Sequence, residues 1–299
     1  MMQGFVGRRF ASLALLSLGL SGSVPRDAFA SADPASKRAA PLPVAVLGKV
    51  SLAKLKSSEP TEIKAGLDDA RASAKGGLAA VPLIVDLLRK GLPYPLTVAA
   101  LDALGDIESE RASATVAWFV RHRSVEVRRS AVRALAHTGG ALAVGALRLA
   151  LSDGDPRVRG FAAAGLGSLR AKDAVGDLFV ALDHRVNEAA VSIGQLCAPS
   201  ECEALEGRLG RVPFDVVSSG LDPILFRPSG EVSDDAKVKL VGRLRELGTG
   251  ETNRFLREAV GRWPKTGSAR VRQVLEQAVL ATTGSPTNSP HEAGGGVSP

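Results

Sequence analysis

Aromatic side chains make up only 4% of the 299 residues, with one tyrosine and two tryptophans. Large β-sheet cores draw on Val, Ile, Tyr, Phe and Thr. This scarcity, beside abundant Ala and Leu, points to helices packed through small residues. Cysteine occurs twice and histidine four times. A structural zinc site needs four clustered ligands, and Cys197 and Cys202 have no second Cys pair and no paired histidines to complete one. His122, His137, His184 and His291 each stand alone, so no metal and no cofactor is implied. There is no Gly-rich phosphate loop, no G-x-S-x-G elbow and no His-Glu-x-x-His helix. That leaves only chemistry assembled from residues distant in sequence, and the chain reads as non-catalytic. No apolar run reaches the length of about 20 residues that a bilayer-spanning helix needs, so an integral membrane protein is not expected. Charge of one sign is in slight excess: the net charge is +7, too modest by itself to demand a nucleic acid.

The N-terminus carries three features in order. A short stretch ends in Arg8 and Arg9, FASLALLSLGL (10–20) is apolar and uncharged, and a polar stretch ends in Ala28-Phe29-Ala30. This is the pattern of a secretory signal peptide cut after Ala30, and it predicts an exported protein, periplasmic or secreted. Arg8-Arg9 is only a weak twin-arginine match, because Phe10 follows directly and no Lys does. Removing residues 1–30 takes away three arginines and one aspartate, so the mature chain stays modestly basic. In an oxidising compartment Cys197 and Cys202, close together in CAPSEC, are expected to pair. Free buried thiols or half of a metal site are the other readings.

The most informative feature is internal repetition. AALDALG (99–105), SAVRALA (130–136), FAAAGLG (161–167) and AAVSIGQ (189–195) align on Leu104, Leu135, Leu166 and Ile193. These anchors lie 31, 31 and 27 residues apart. A second apolar stretch follows each segment, such as Val144, Leu147 and Leu151, or Val175, Leu178, Phe179 and Leu182. Spacings of three and four put one stripe on one helix face. Asp155-Pro156 reads as an N-cap followed by Pro at the first helical position, Ser124 as another cap, and Gly139-Gly140 and Gly154 as turns. The unit is therefore helix, short turn, helix. Seven such pairs are expected, at about 61–90, 95–122, 125–152, 156–183, 186–209, 213–247 and 250–282. A lone pair cannot bury its stripe and stacked pairs can, so the expected fold is all-α, an α-solenoid of stacked antiparallel helix pairs.

SDGDPRVRGFAAAGLGSLRAKDAVGDLFVALDH (152–184) resembles a HEAT-like repeat, of the type also found in phycobilin lyases. The Asp155-Pro156-x-Val158-Arg159 start and the Ala164-Gly165-Leu166-Gly167 ending carry the resemblance, and Val127-Arg128 and Leu135 repeat it one unit earlier. It covers roughly residues 60–210 and is specific to a fold rather than a function. It implies that Asp155, Arg159 and Arg128 brace adjacent units. HEAT-like di-iron hydroxylases carry several His-Glu pairs on facing helices; here only His291-Glu292 occurs.

The expected organisation is a signal peptide (1–30), a flexible linker (31–59), HEAT-like repeats (60–210), a degenerate C-terminal helical cap (211–283) and a disordered tail (284–299). The basic cluster Arg121, Arg123, Arg128, Arg129 and Arg133, with His122, is the candidate partner-binding site. Trp118 falls on the apolar stripe of its helix and is expected in the core. Tyr94, between two prolines, is expected to be exposed. The function expected is a scaffold that binds a protein along the surface of successive second helices. One alternative, from the resemblance alone, is a lyase-type enzyme or chromophore-attachment factor. Another is polyanion or nucleic-acid binding through residues 121–133, against which stand the export signal and the modest charge.

Overall fold

The computed structural model describes residues 48–283. The expected signal peptide, most of the expected linker and the expected tail lie outside the described residues. Among those residues every regular element is a helix. Seven helix pairs follow one another: α2 (Pro60–Ser73) with α3 (Val81–Lys90), α4 (Tyr94–Ile107) with α5 (Ser113–Trp118), α6 (Val125–Thr138) with α7 (Gly140–Ala150), α8 (Pro156–Ser168) with α9 (Val175–Asp183), α10 (Glu188–Leu196) with α11 (Pro199–Glu206), α12 (Phe214–Phe226) with α13 (Asp234–Leu247), and α14 (Gly250–Arg262) with α15 (Ala269–Thr282). The repeat pattern thus extends through the degenerate C-terminal third, and the fold is an α-solenoid of HEAT-like helix pairs.

The expected linker is shorter than its composition suggests. A short helix, α1 (Lys49–Lys54), leads into Leu55, which is buried against Gly66 of α2. KVSLAK is too short and too polar to show a helical period, and its packing on α2, with Ser51 and Lys54 both donating to Asp69, holds it.

The first helix of each pair packs on the first helix of the next: α2 on α4, α4 on α6, α6 on α8, α8 on α10 and α10 on α12. The anchors Leu104, Leu135, Leu166 and Ile193 are all fully buried in this layer. Small residues set its spacing. A Cβ on Gly105 would lie 3.1 Å from Ala134 Cα, and one on Gly165 would lie 2.9 Å from Ala136 Cβ. Between α10 and α12 the contact is backbone on backbone: a Cβ on Gly194 would meet the Gly220 carbonyl oxygen at 1.9 Å. The second helices bury stripes such as Val116, Leu147 and Leu178 against the first layer, and at the last junction the packing shifts to them, α13 lying on α15.

Caps follow the sequence in part. Asp155 accepts from the Val158 N–H at 3.0 Å, and Ser233, Thr249 and Ser268 cap α13, α14 and α15 in the same way. Ser124 does not cap with its hydroxyl; its own N–H donates instead to His122 Nδ1 at 3.1 Å. Gly139 and Gly140 turn the chain at φ of 73° and 83°, where L side chains are strained.

The glycine spacing yields a paired test. Gly194→Ala forces α10 and α12 apart and should cost about 3 kcal/mol or more, as overpacking does. Gly145, inside α7 with open space where a Cβ would stand, should behave oppositely: Gly145→Ala should add about 0.5–1 kcal/mol of helix stability. Urea unfolding of the two variants measures both.

Candidate functional site

The structure divides the five nominated arginines. Arg128, at the start of α6, pairs with Asp153 through two parallel bonds, Nε to Oδ2 at 2.7 Å and Nη2 to Oδ1 at 2.9 Å. Its Nη1 donates to the carbonyls of His122 and Arg123. Arg129 makes an equivalent fork onto Asp155, at 3.0 and 2.7 Å, and reaches Glu126 at 2.6 Å. Both pairs span the third and fourth repeats. Arg133 donates to Asp102 at 3.3 Å and stands over the Phe161 ring, in the first-helix layer. Only Arg121 and Arg123 are exposed with no acidic partner among the described residues. Three of the five are thus taken up by carboxylates of the chain itself.

The braces polarise the groups they join. The hydrogen bonds from Arg129 hold Asp155 at a pKa of about 2, aided by the Val158 N–H. Burial pushes Asp153 up, but the Arg128 fork and the Asp155 N–H outweigh it and keep the carboxyl below its ordinary range. Arg128 is raised by its bonds to Asp153. The bracing role implied for Arg128 and Asp155 is thus visible. Arg159 differs: its Nη1 donates to the carbonyls of Asp153 and Gly154, in its own repeat.

The ends of the second helices form two clefts at a 31-residue offset. The first, about 400 Å³, is lined by Val120, Arg128, Leu149, Ala150 and Asp153, with Arg121 and Arg123 at its rim. The second, about 480 Å³, is lined by Leu151, Arg159, Val180, Ala181 and His184. Position by position, the second set stands 31 residues after the first. Arg121 and Arg123 therefore belong to a repeated groove.

Beside these clefts runs an exposed apolar row. Trp118 is 84% exposed, Leu149 59% and Val180 58%. Each follows a fully buried residue, Val116, Leu147 or Leu178, by two positions. Two residues rotate about 200° around a helix, which turns the side chain from core to solvent. Trp118 is therefore not in the core, as its helical stripe suggested. α5 spans only Ser113–Trp118, too short for the sequence to fix its register. Tyr94 is exposed as expected, at the first turn of α4. The 31-residue spacing of Trp118, Leu149 and Val180 was the sequence signal that could have found the row.

Cys197 and Cys202 are joined as a disulfide, with Cα atoms 5.3 Å apart and both side chains buried. The bridge pins the turn between α10 and α11. Arg227 of the next repeat donates to the Cys197 carbonyl there at 2.8 Å. Among the described residues no group of three His, Cys, Asp or Glu side chains is placed to hold a metal ion, and no helix is long and apolar enough to cross a membrane.

No protein-family model matches the chain, and no curated protein sequence does. Among solved structures the chain is similar to the complex of CpcE and CpcF of phycocyanin lyase from Nostoc sp. PCC7120, at 17% identity and a TM-score of 0.44, covering 84% of this chain and 99% of that one. It is also similar to an engineered protein, at 16% identity and a TM-score of 0.47, covering 78% of this chain and 77% of that one. A designed armadillo repeat protein matches at 16% identity and a TM-score of 0.36, covering 78% of this chain and 98% of that one.

Two predictions follow from the braces. In a double-mutant cycle of Arg128→Ala and Asp153→Ala, the coupling should be about 1–3 kcal/mol, the range for charge-assisted hydrogen bonds. Asp155 has a folded pKa of about 2, below the ordinary value of about 3.9. Its stabilisation is complete above about pH 4 and is lost as pH falls toward about 2. Asp155→Ala should therefore flatten the fall in stability across that window, read from denaturation midpoints.

Proposed function

We propose that this chain is an exported, non-catalytic scaffold that binds a protein along the outer edge of its second helices. The row Trp118, Leu149 and Val180 carries the reading: three consecutive repeats each expose one apolar side chain at the same register. Single exposed apolar residues are ordinary, but an aligned series rimmed by polar groups marks an interaction surface. Tryptophan is also the side chain most enriched among the residues that dominate binding energy. Arg121 and Arg123, without acidic partners among the described residues, line the cleft at the same surface. A stacked array presents such a face already formed, so little ordering is spent when a partner docks.

The inward pairing of Arg128 and Arg129 supports a protein rather than a polyanion. Phosphate binding draws on free cations, and these are spent on Asp153 and Asp155. The export part of the reading rests on the three-part N-terminus, with cleavage after Ala30, and suits a chain whose two cysteines are bridged.

A photo-crosslinking amino acid placed at Leu149 or Val180 in intact cells should trap a discrete protein species. The same group at Ala164, exposed on the first-helix side, should not. Mature protein beginning at Ser31 should be recovered from the envelope or medium. Equal labelling from all three positions, or nucleic acid as the trapped species, would overturn the binding face; a retained N-terminus would overturn export.

A further inference from the structure

The two clefts carry the same parts with one exchange. In the first, Asp153 fills the Nε and Nη2 donors of Arg128, while Nη1 is spent on loop carbonyls. One repeat on, Arg159 makes the same loop bonds through Nη1, to the carbonyls of Asp153 at 2.9 Å and Gly154 at 3.3 Å. The residue that stands 31 positions after Asp153 is His184, not an acid. Arg159 has no acidic partner among the described residues, and its Nε and Nη2 are left without one. The two carboxylates that do line the second cleft are each committed to another arginine, Asp153 to Arg128 and Asp177 to Arg148. Beside the Arg148–Asp177 pair, the cleft therefore presents the Arg159 guanidinium, oriented by two carbonyls, with Leu151 and Ala181 among its apolar lining.

We infer that the second cleft receives the carboxylate of an Asp or Glu side chain from a partner segment, in the place that Asp153 fills on Arg128. The inference rests on the docking face proposed above and gives its partner a chemistry: an acidic residue flanked by apolar ones that lie along Leu149 and Val180. The chain supplies its own occupied example one repeat earlier, so the geometry of the bond, a parallel two-point fork, is already drawn. Such forks give strong and directional recognition of carboxylates. A guanidinium already fixed by its own loop loses little freedom on forming one.

The test uses mature protein, residues 31–299, immobilised for selection from a displayed random dodecapeptide library whose peptides have no free C-terminus. Selected peptides should be enriched in Asp or Glu at a constant spacing from an apolar residue. In fluorescence anisotropy, changing that acid to its amide in a selected peptide should weaken binding about tenfold or more. His184→Asp restores the missing rung inside the chain. It should reduce the acid-versus-amide difference to about twofold or less, with the thermal midpoint kept or raised. Arg159→Gln should do the same to the acid preference by removing the charge. Peptides selected without acid enrichment, or an acid preference that survives in His184→Asp, would overturn the inference and leave the docking face standing. Selected peptides indifferent to Leu149→Glu, or no selection at all, would remove the docking face and the inference with it.

Discussion

The spacing between first helices is the constraint on which the rest depends. At three junctions between first helices a glycine meets an alanine or a second glycine, and at Gly194 and Gly220 nothing separates the two backbones. Helices that touch through backbone lose the freedom to slide or roll, because side-chain ridges no longer intervene. Once this layer is fixed, the second helices are placed by their buried stripes, and everything on their outer side is placed in turn. The clefts and the apolar row recur at a common offset because the layer beneath them does.

The ion pairs refine this arrangement rather than create it. Most repeat junctions carry one, such as Arg71–Asp106, Arg208–Asp183, Lys239–Glu203 and Arg270–Asp235. Many of these are well exposed, and exposed pairs contribute little. The exceptions are Arg128–Asp153 and Arg129–Asp155, half-buried and forked, which concentrate directional bonding at one junction. The next junction has no copy of either: Gly160 stands one repeat after Arg129, and its missing side chain leaves room for Glu188.

Much of the fold was legible in the sequence because a repeat states its core several times. Leu104, Leu135, Leu166 and Ile193 mark the period, and the seven pairs inferred from it match the observed helices closely. What was not legible depended on contacts across the repeat. Arg129 read only as part of a basic recognition cluster, and Arg128 as both brace and recognition residue, because their carboxylates lie 26 and 25 residues further on. Trp118 read as core because a six-residue helix fits more than one register. α1 read as linker because a single turn and a half of polar helix has no period to see. Arg159 read as a brace within the repeat motif and His184 carried no motif; that Arg159 lacks the acid of the previous repeat stands out only when one repeat is laid over the other.

The apolar row also behaves as a ruler. Its rungs are separated by the step of stacked helices, about 10 Å or somewhat more. An extended chain covers that distance in about three residues, and a helix in about seven. The partner proposed to lie along Trp118, Leu149 and Val180 would therefore meet them at a fixed stride. That stride is set not by the exposed residues but by the glycines beneath them, so a methyl group added in the first layer alters the division marks on the opposite side of the molecule.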